Sequence, residues 1–299
     1  MADIQAFNGI RYDLGHVGSL GDVIAPPYDV IDDAFQDALY KKHPANVVRL
    51  ILNRSEPGDS EDDRYRRAAK FYKDWRSQGL LFSEARSSLY VYHQEFDYGG
   101  QSFCRRGFMA RVRLEPFGEG KIYPHEETHS AAKADRLKLI NSCRANMSQI
   151  FGLYPDSDNA VQNALDANVI DKTPLQATDH LGVVHRMWMA DDPTIIAQAV
   201  SLMVEKPLFI ADGHHRYETA LNYRNELAAK GPLDPEHPAN FVLMMMIGMG
   251  DPGLVVYPTH RLFRGLPEMD SDDLIAKLGD CFTTRIAGEG SDLAEVVWG

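Results

Sequence analysis

The chain has 299 residues, of which 44% are hydrophobic and 25% are charged, and its formal net charge is −12. These values are typical of a folded chain that can bury a large core. The acidic balance argues against a protein whose main partner is a nucleic-acid backbone, because such binding rests on accumulated lysine and arginine. A local phosphate pocket remains compatible with this balance, since residues 101–150 carry nine Lys or Arg against five Asp or Glu.

Three cysteines, Cys104, Cys143 and Cys281, lie far apart without a CxxC spacing. This usage indicates reduced cytosolic thiols rather than a disulfide framework or a zinc site. The N-terminus lacks the basic and apolar regions of a signal peptide, and the longest apolar stretch, 241–249, is too short to span a bilayer. We therefore expect a cytoplasmic protein without a membrane partner. No sequence feature predicts an oligomeric state.

Taken in chain order, residues 1–31 indicate irregular structure that ends in a proline-rich segment. Apolar spacing predicts an amphipathic helix over 60–78 that stops at Gly79. Two runs with period two, 89–96 and 103–114, flank a Tyr-Gly-Gly-Gln turn and predict a β-hairpin. The later elements predicted by periodicity are a helix over 131–146, a strand over 150–154, a β-rich stretch over 174–189, a helix over 193–205, a strand over 208–211, a helix over 217–230 and a strand over 253–258.

The most informative run is Asp212-Gly213-His214-His215-Arg216-Tyr217. A short apolar strand precedes it and a helix follows, so the run is a strand-to-helix turn that carries two imidazoles and a guanidinium. The free N–H groups at a helix N-terminus attract anions, and Gly213 lets the backbone come close to a ligand. Arg216 could take two phosphate oxygens at once. The alternative is an ordinary Asp-Gly turn whose histidines cap or pack.

His125-Glu126-Glu127-Thr128-His129 matches the HExxH pattern of zinc peptidases. Pro124 precedes it directly, so these residues can at best begin a helix, whereas the zinc motif needs a helical turn before it. We interpret the run as a polar loop that places His125, Glu126, Lys133 and Arg136 near an anionic ligand. A solvated, ion-paired loop is the competing interpretation.

Two further segments are weaker candidates. Ala25-Pro26-Pro27-Tyr28-Asp29 is stiff because each proline fixes φ, and a stiff loop could present the Asp29 carboxylate as a general base to a substrate hydroxyl. Thr259-His260-Arg261 follows a predicted strand and could add charge to a site. A rigid surface turn and a solvated strand end are the respective alternatives.

Together, the motifs around residues 26–29, 125–128, 135–136, 150–154, 211–217 and 258–261 resemble the uncharacterised bacterial and archaeal family called domain of unknown function 1015. The resemblance covers nearly the whole chain in order. Family members generally run past this C-terminus, so we expect the natural C-terminal end to be missing.

The Asp-Gly-His-His-Arg run also resembles the phosphate-binding turn of the ParB/sulfiredoxin-like superfamily, which includes partition nucleotide hydrolases, sulfiredoxin and free-serine kinases. This resemblance implies that Arg216 and the His214/His215 pair hold phosphates and that Asp212 assists metal binding, with Mg²⁺ as the candidate ion, or substrate binding. We expect Gly213 and Tyr217 to contribute to the same phosphate-binding turn. His214 stands where sulfiredoxin has its reactive cysteine, which argues against sulfinic-acid reduction. The kinases have a glutamate as base near the N-terminus, where this chain offers Asp29.

These observations predict an α/β or α+β fold with a mixed sheet. The expected organisation is a discontinuous ParB/sulfiredoxin-like core over 1–80 and 190–299, with a β-rich inserted portion over 81–189. We expect a nucleotide-dependent phosphotransferase or nucleotide hydrolase that acts on a small hydroxyl-bearing metabolite, with Asp29 and His214 as catalytic residues, ATP or ADP as substrate, and Mg²⁺. A nucleotide-sensing protein without turnover is one alternative, and a metal-dependent hydrolase using His125, His129 and the His214/His215 pair is the other.

Overall fold

The computed structural model describes residues 2–128, 130–256, 265, 267–279 and 282–283. The chain divides into two units, residues 1–255 and 256–299. Every strand described below belongs to the first unit. In the second unit the described residues form the helix α10 (Ser271–Leu278), which Asp270 caps through a hydrogen bond from the Asp273 N–H group.

The strands of the first unit alternate with its helices along most of the chain. The strands are β1 (Ile4–Gln5), β2 (Ile10–Tyr12), β3 (Leu81–Ser83), β4 (Leu89–Tyr98), β5 (Gln101–Arg113), β6 (Ile122–Tyr123), β7 (Ile150–Tyr154), β8 (Leu175–Thr178), β9 (Val184–Ala190), β10 (Leu208–Asp212) and β11 (Phe241–Gly248).

The helices of the first unit range from single turns to four turns. They are α1 (Leu14–Val17), α2 (Leu20–Val23), α3 (Asp33–Lys42), α4 (Val48–Ile51), α5 (Asp63–Ser77), α6 (Ser130–Cys143), α7 (Ala160–Val169), α8 (Pro193–Met203) and α9 (His214–Ala228), with 3₁₀ turns at Tyr28–Val30 and Pro238–Asn240. None of the described helices is long and apolar enough to cross a bilayer.

A large mixed sheet organises the first unit. Its strands run in the order β6-β10-β7-β11-β5-β4-β9-β8. The short strand β1 pairs with the C-terminal part of β5, which extends past the last residue paired with β4. The pairs β10–β6 and β11–β7 are parallel, whereas the other neighbouring pairs are antiparallel. The strands β2 and β3 form a separate two-stranded sheet. The predicted mixed α/β architecture is confirmed.

The largest buried cluster lies against one face of this sheet. Alternate residues of β5, such as Phe108, Ala110 and Val112, are fully buried there, because successive side chains of a strand point to opposite faces. Side chains of α7, α8 and α9 complete the cluster, including the fully buried Leu165, Met203 and Tyr217. This packing fixes the start of α9 relative to the strands β10 and β7.

Most of the predicted elements are confirmed within a few residues. The hairpin turns at Tyr98-Gly99-Gly100-Gln101, and β7 covers the predicted range 150–154. The apolar run 241–249 forms β11 inside the sheet, where neighbouring strands cover both of its edges. The division into a discontinuous core and an inserted portion stays a prediction, and strands from both portions share the one sheet.

Three expectations about the elements were wrong. Residues 1–31 contain β1, β2, two short helices and a 3₁₀ turn instead of irregular chain, because tertiary packing orders segments too short to show a period. The last helix of the motif begins at His214 rather than Tyr217. No strand occurs over 253–256, where the chain follows a turn at Asp251–Gly253, and residues 257–258 lie outside the described residues.

Candidate functional site

The candidate site lies where β10 ends and α9 begins. Asp212 is the last residue of the strand, and Gly213 adopts φ +94° and ψ 27°, a left-handed conformation that glycine reaches without a steric penalty. Among the described residues no side chain caps the helix, and an α-helix provides no acceptor of its own for the first N–H groups at its N-terminus. The two imidazoles and the guanidinium therefore lie in the first turn of a helix, where its positive dipole end is located.

Arg216 holds the shape of this turn. One of its terminal nitrogens donates to the Gln149 carbonyl oxygen at the start of β7, and the other forms an ion pair with Asp212. A Cβ atom at Gly213 would lie 3.0 Å from the Arg216 Cζ atom, so the guanidinium lies directly against the glycine backbone. Only 12% of the Arg216 side chain is exposed. A phosphate would have to compete with Asp212 for the Arg216 guanidinium. The sequence did not predict this pairing of Arg216 with Asp212.

His214 is the most enclosed polar side chain of the site, with 0% of it exposed. Its Nε2 atom accepts a hydrogen bond of 3.2 Å from the His125 N–H group. Its buried Nδ1 atom has no hydrogen-bond partner among the described residues, although the Glu126 Oε1 atom lies 2.9 Å away. Burial lowers the pKa of His214 against the opposing charge of Glu126, which favours a neutral imidazole.

His125 and Glu126 lie over His214. The His125 Nδ1 atom is 2.7 Å from the Ile210 carbonyl oxygen, and the His125 and His214 rings meet edge to face with centroids 4.5 Å apart. Because a carbonyl oxygen only accepts, the Nδ1 atom carries the proton of a neutral His125 ring, and the Nε2 atom is then an acceptor. Among the described residues, His125, Glu126 and His214 form a group whose ligand atoms all lie within 4.8 Å of one another. Two imidazoles and a carboxylate can hold a divalent transition metal.

A second polar cluster borders the first turn of α9. Glu218 accepts a hydrogen bond from the Thr128 hydroxyl and forms an ion pair of 2.8 Å with the Lys133 Nζ atom. Although burial opposes the shift, these two partners hold the pKa of Glu218 below its usual range, with a contribution from the charge of His215. Lys133 is thus balanced by a carboxylate. Sequence reasoning missed Glu218, and its position one helical turn after His214 was the available signal.

Arg136 is buried in an internal ion pair. Its guanidinium pairs with Asp135, donates a 2.7 Å hydrogen bond to the Ile51 carbonyl oxygen and covers the Tyr28 ring with its Cζ atom 3.9 Å from the ring centroid. These partners surround it, and its side chain is only 9% exposed. Arg136 therefore anchors the proline-rich loop through Tyr28, and we no longer assign it to direct phosphate binding.

Asp29 lies in the 3₁₀ turn at Tyr28–Val30 and is exposed. The neighbouring Tyr28 lies within electrostatic range of Arg216: burial raises the pKa of Tyr28, and the charges of Arg136 and Arg216 oppose that rise. A cavity of about 480 Å³ begins at Tyr28 and extends along α3 and residues 52–55. This volume suits a small organic molecule. The expected approach of the Asp29 carboxylate to within about 10 Å of His214–Arg216 stays a prediction.

Tyr217 belongs to the core instead of the site. Its side chain is fully buried, its hydroxyl donates to the Glu115 carbonyl oxygen at 2.8 Å and accepts from the Glu115 N–H group at 2.9 Å, and its ring stacks on Phe117. Its hydroxyl is committed to these two bonds, so we drop Tyr217 from the proposed phosphate ligands. His129 and Thr259-His260-Arg261 lie outside the described residues.

Comparison with known proteins identifies a family over almost the entire chain. A family model described as "Protein of unknown function (DUF1015)" matches residues 4–296. No curated protein and no solved structure matches the chain.

Proposed function

Because the chain belongs to the DUF1015 family, whose description gives no activity, we propose its function from the site. We propose a nucleotide-dependent phosphotransferase or nucleotide hydrolase that acts on a small hydroxyl-bearing metabolite. The observation that carries the proposal is the uncapped first turn of α9, which begins at a left-handed Gly213 beside the exposed His125 and Glu126. A phosphate at this place would meet backbone N–H groups and the positive end of the helix.

Each neighbouring residue has a role in this proposal. The first-turn N–H groups and His215 bind phosphate oxygens, and Arg216 keeps the turn in shape while its charge offsets that of the phosphate. Asp212, half exposed, is the candidate ligand for a nucleotide-bound Mg²⁺ ion, which prefers oxygen donors. The cavity beside Tyr28 would hold the hydroxyl-bearing substrate. The likeness of residues 212–216 to the turn of free-serine kinases supports the same proposal.

Calorimetric titration with ATP, ADP, GTP and CTP in the presence of Mg²⁺ tests the phosphate site. We expect binding of at least one purine nucleotide to the natural chain and a loss of about tenfold to a hundredfold in affinity for Arg216→Ala, because the variant loses both the positive charge beside the phosphate and the bonds that hold the turn in shape. Arg224→Ala is the matched control. Arg224 lies two turns further along α9 and also donates to a backbone carbonyl oxygen, that of Leu114, so its loss should leave nucleotide affinity unchanged.

Equal and negligible heats for all four nucleotides would refute nucleotide binding. Where binding occurs, release of phosphate or nucleotide product over hours distinguishes an enzyme from a nucleotide-sensing protein, since a phosphate pocket does not by itself imply turnover. Asp212→Asn separates the two roles of that carboxylate. If Asp212 ligates Mg²⁺, the variant loses the Mg²⁺-dependent part of the affinity; if it only competes for Arg216, binding without Mg²⁺ becomes tighter.

The group His125, Glu126 and His214 favours a second candidate, a metal-dependent hydrolase. A metal ion bound by these ligands could lower the pKa of a water molecule and supply a nucleophile. The His125 Nδ1 contact with the Ile210 carbonyl oxygen is the kind of support that orients metal-binding imidazoles. A metal at the unpartnered His214 Nδ1 atom would move that ring's proton to Nε2 and break the bond from the His125 N–H group.

Metal binding is tested by equilibrium dialysis against Zn²⁺, Mn²⁺ and Mg²⁺, followed by elemental analysis. If the second candidate is right, the natural chain retains stoichiometric Zn²⁺ or Mn²⁺, and Glu126→Gln weakens binding by about tenfold or more. Glu127→Gln, one residue along and also exposed, should bind like the natural chain. Absence of retained Zn²⁺ and Mn²⁺, or equal loss in both variants, would remove this candidate and leave the phosphotransferase proposal intact.

A further inference from the structure

A separate cluster of reactive side chains lies on the sheet away from the α9 turn. On the hairpin, His93 of β4 pairs directly with Arg106 of β5, and Cys104 lies diagonally opposite on the same face. The His93 Nε2 atom is 2.9 Å from the Asp166 Oδ1 atom of α7, which leaves the Nδ1 atom available to the neighbouring Cys104 thiol, one of the groups that raise the pKa of His93. An imidazole thus stands between a carboxylate and a thiol.

We propose that Cys104 is an activated thiol, with His93 as its base and Asp166 as the residue that orients His93. This order of groups is the one that activates thiol nucleophiles in proteins, where the middle imidazole takes the thiol proton and the carboxylate fixes the ring. Cys104 is partly exposed, so a small reagent can reach it. The proposal is independent of nucleotide binding at the α9 turn.

Charges around His93 favour its protonated form. Arg106 of β5 is paired with two carboxylates, at 3.1 Å with Asp166 and at 3.0 Å with the buried Asp251, so the carboxylates outnumber the guanidinium. On β9, Arg186 lies opposite His93 but pairs with Glu95, the carboxylate directly opposite Cys104 on β4, and Trp188 meets the imidazole edge to face. Although burial opposes the shift, Asp166 and Cys104 raise the pKa of His93 to about 9. A protonated His93 stabilises a thiolate beside it.

The structure favours exchange with a small disulfide over acyl transfer. Acyl transfer needs free backbone donors near the nucleophile, whereas Cys104 lies within the hydrogen-bonded ladder of the hairpin, and its carbonyl group packs against Gly253. In the exchange the Cys104 thiolate forms a bond to one sulfur of the disulfide and the original sulfur–sulfur bond breaks. The leaving thiolate takes the proton from His93, so the products are a mixed disulfide on Cys104 and a small free thiol.

The experiment uses the full chain and the small disulfide dithiodipyridine, with peptide mass spectrometry to assign the modified cysteine between pH 5 and pH 10. An ordinary thiol reacts with a midpoint near a pKa of about 8.5. If the proposal is right, Cys104 reacts at a lower pH than an ordinary thiol, and its midpoint moves back towards the ordinary value in His93→Gln and partly in Asp166→Asn. Cys143, which is buried with a pKa raised by desolvation to about 11, is the internal reference and should react only at high pH.

His16→Gln is the matched control, because His16 pairs with Asp13 at 3.0 Å on the surface of α1. This variant removes a histidine–carboxylate pair without touching Cys104 and should leave the profile unchanged. A Cys104 midpoint at or above the ordinary value, or one that His93→Gln does not move, would overturn the proposal. Circular dichroism of each variant shows whether it is folded. If the His93→Gln variant is unfolded, the midpoint of the pH profile of Cys104 in the natural chain still tests the proposal.

Discussion

Replacing Arg136 with methionine is expected to lower the free energy of unfolding by about 3–5 kcal/mol, the range for breaking a buried ion pair from one side. The change leaves the Ile51 carbonyl oxygen without its donor and removes the principal charge that stabilises Asp135. Although burial opposes the shift, Arg136 and the other partners of Asp135 hold the pKa of this carboxyl below its usual range. Urea denaturation of the natural chain and the variant measures the difference.

The pH dependence of this difference has a definite sign. A carboxyl whose pKa is depressed on folding contributes stability above its unfolded pKa and loses it as pH falls through the folded value. The difference in free energy of unfolding between the natural chain and Arg136→Met should therefore be largest above about pH 4 and decrease below it. Lys138→Met is the control on the same helix, because Lys138 pairs with Glu61 and Asp62 at the surface and its loss should leave stability unchanged. Unchanged stability but weaker nucleotide binding in Arg136→Met would restore Arg136 as a phosphate ligand.

Local sequence patterns were sufficient to predict most of the strands and helices. The hairpin of β4 and β5 has a period-two pattern on both sides of a Gly-Gly turn, and its register then follows from the turn and the buried face. The strand β10 was visible as an apolar run before an Asp-Gly pair. What was missed near the N-terminus, such as α1 and α2, consists of single turns that only tertiary contacts stabilise.

The candidate site was predictable in position but less so in chemistry. The sequence placed His125, Glu126 and His214 as candidates, and the structure brings them together. The sequence could not reveal that the Arg216 guanidinium binds Asp212 and the Gln149 carbonyl oxygen, because the second contact depends on where β7 lies. Tyr217 and Arg136 were assigned by their neighbours in the sequence, whereas burial decides their roles. The pairing of Cys104 with His93 likewise depends on strand register, which a list of scattered cysteines does not show.

If the chain is a kinase, Asp29 must supply the base that deprotonates the substrate hydroxyl. The stiff loop that carries Asp29 is held by Tyr28, whose ring lies under Arg136 and within electrostatic range of Arg216. The cavity that begins at Tyr28 would place a substrate beside this loop. A general base has to come within about 2.6–3.2 Å of the proton donor, directly or through one water molecule. The phosphoryl group at the α9 turn must then lie in line with the same hydroxyl.

We therefore expect Asp29→Asn to lower turnover by about 10²–10⁴-fold while nucleotide affinity stays unchanged, because the amide keeps the shape of the carboxylate but cannot accept the proton. Parallel measurements of product release and calorimetric affinity test this, with Asp22→Asn as a control, since Asp22 is a half-exposed carboxylate on α2 that pairs with Lys42 at 3.8 Å. If Asp29→Asn instead weakens nucleotide binding and leaves turnover per bound nucleotide intact, Asp29 positions a metal ion or the loop. The base would then have to be sought among the carboxylates that line the cavity, of which Asp33 at the start of α3 is the first to replace.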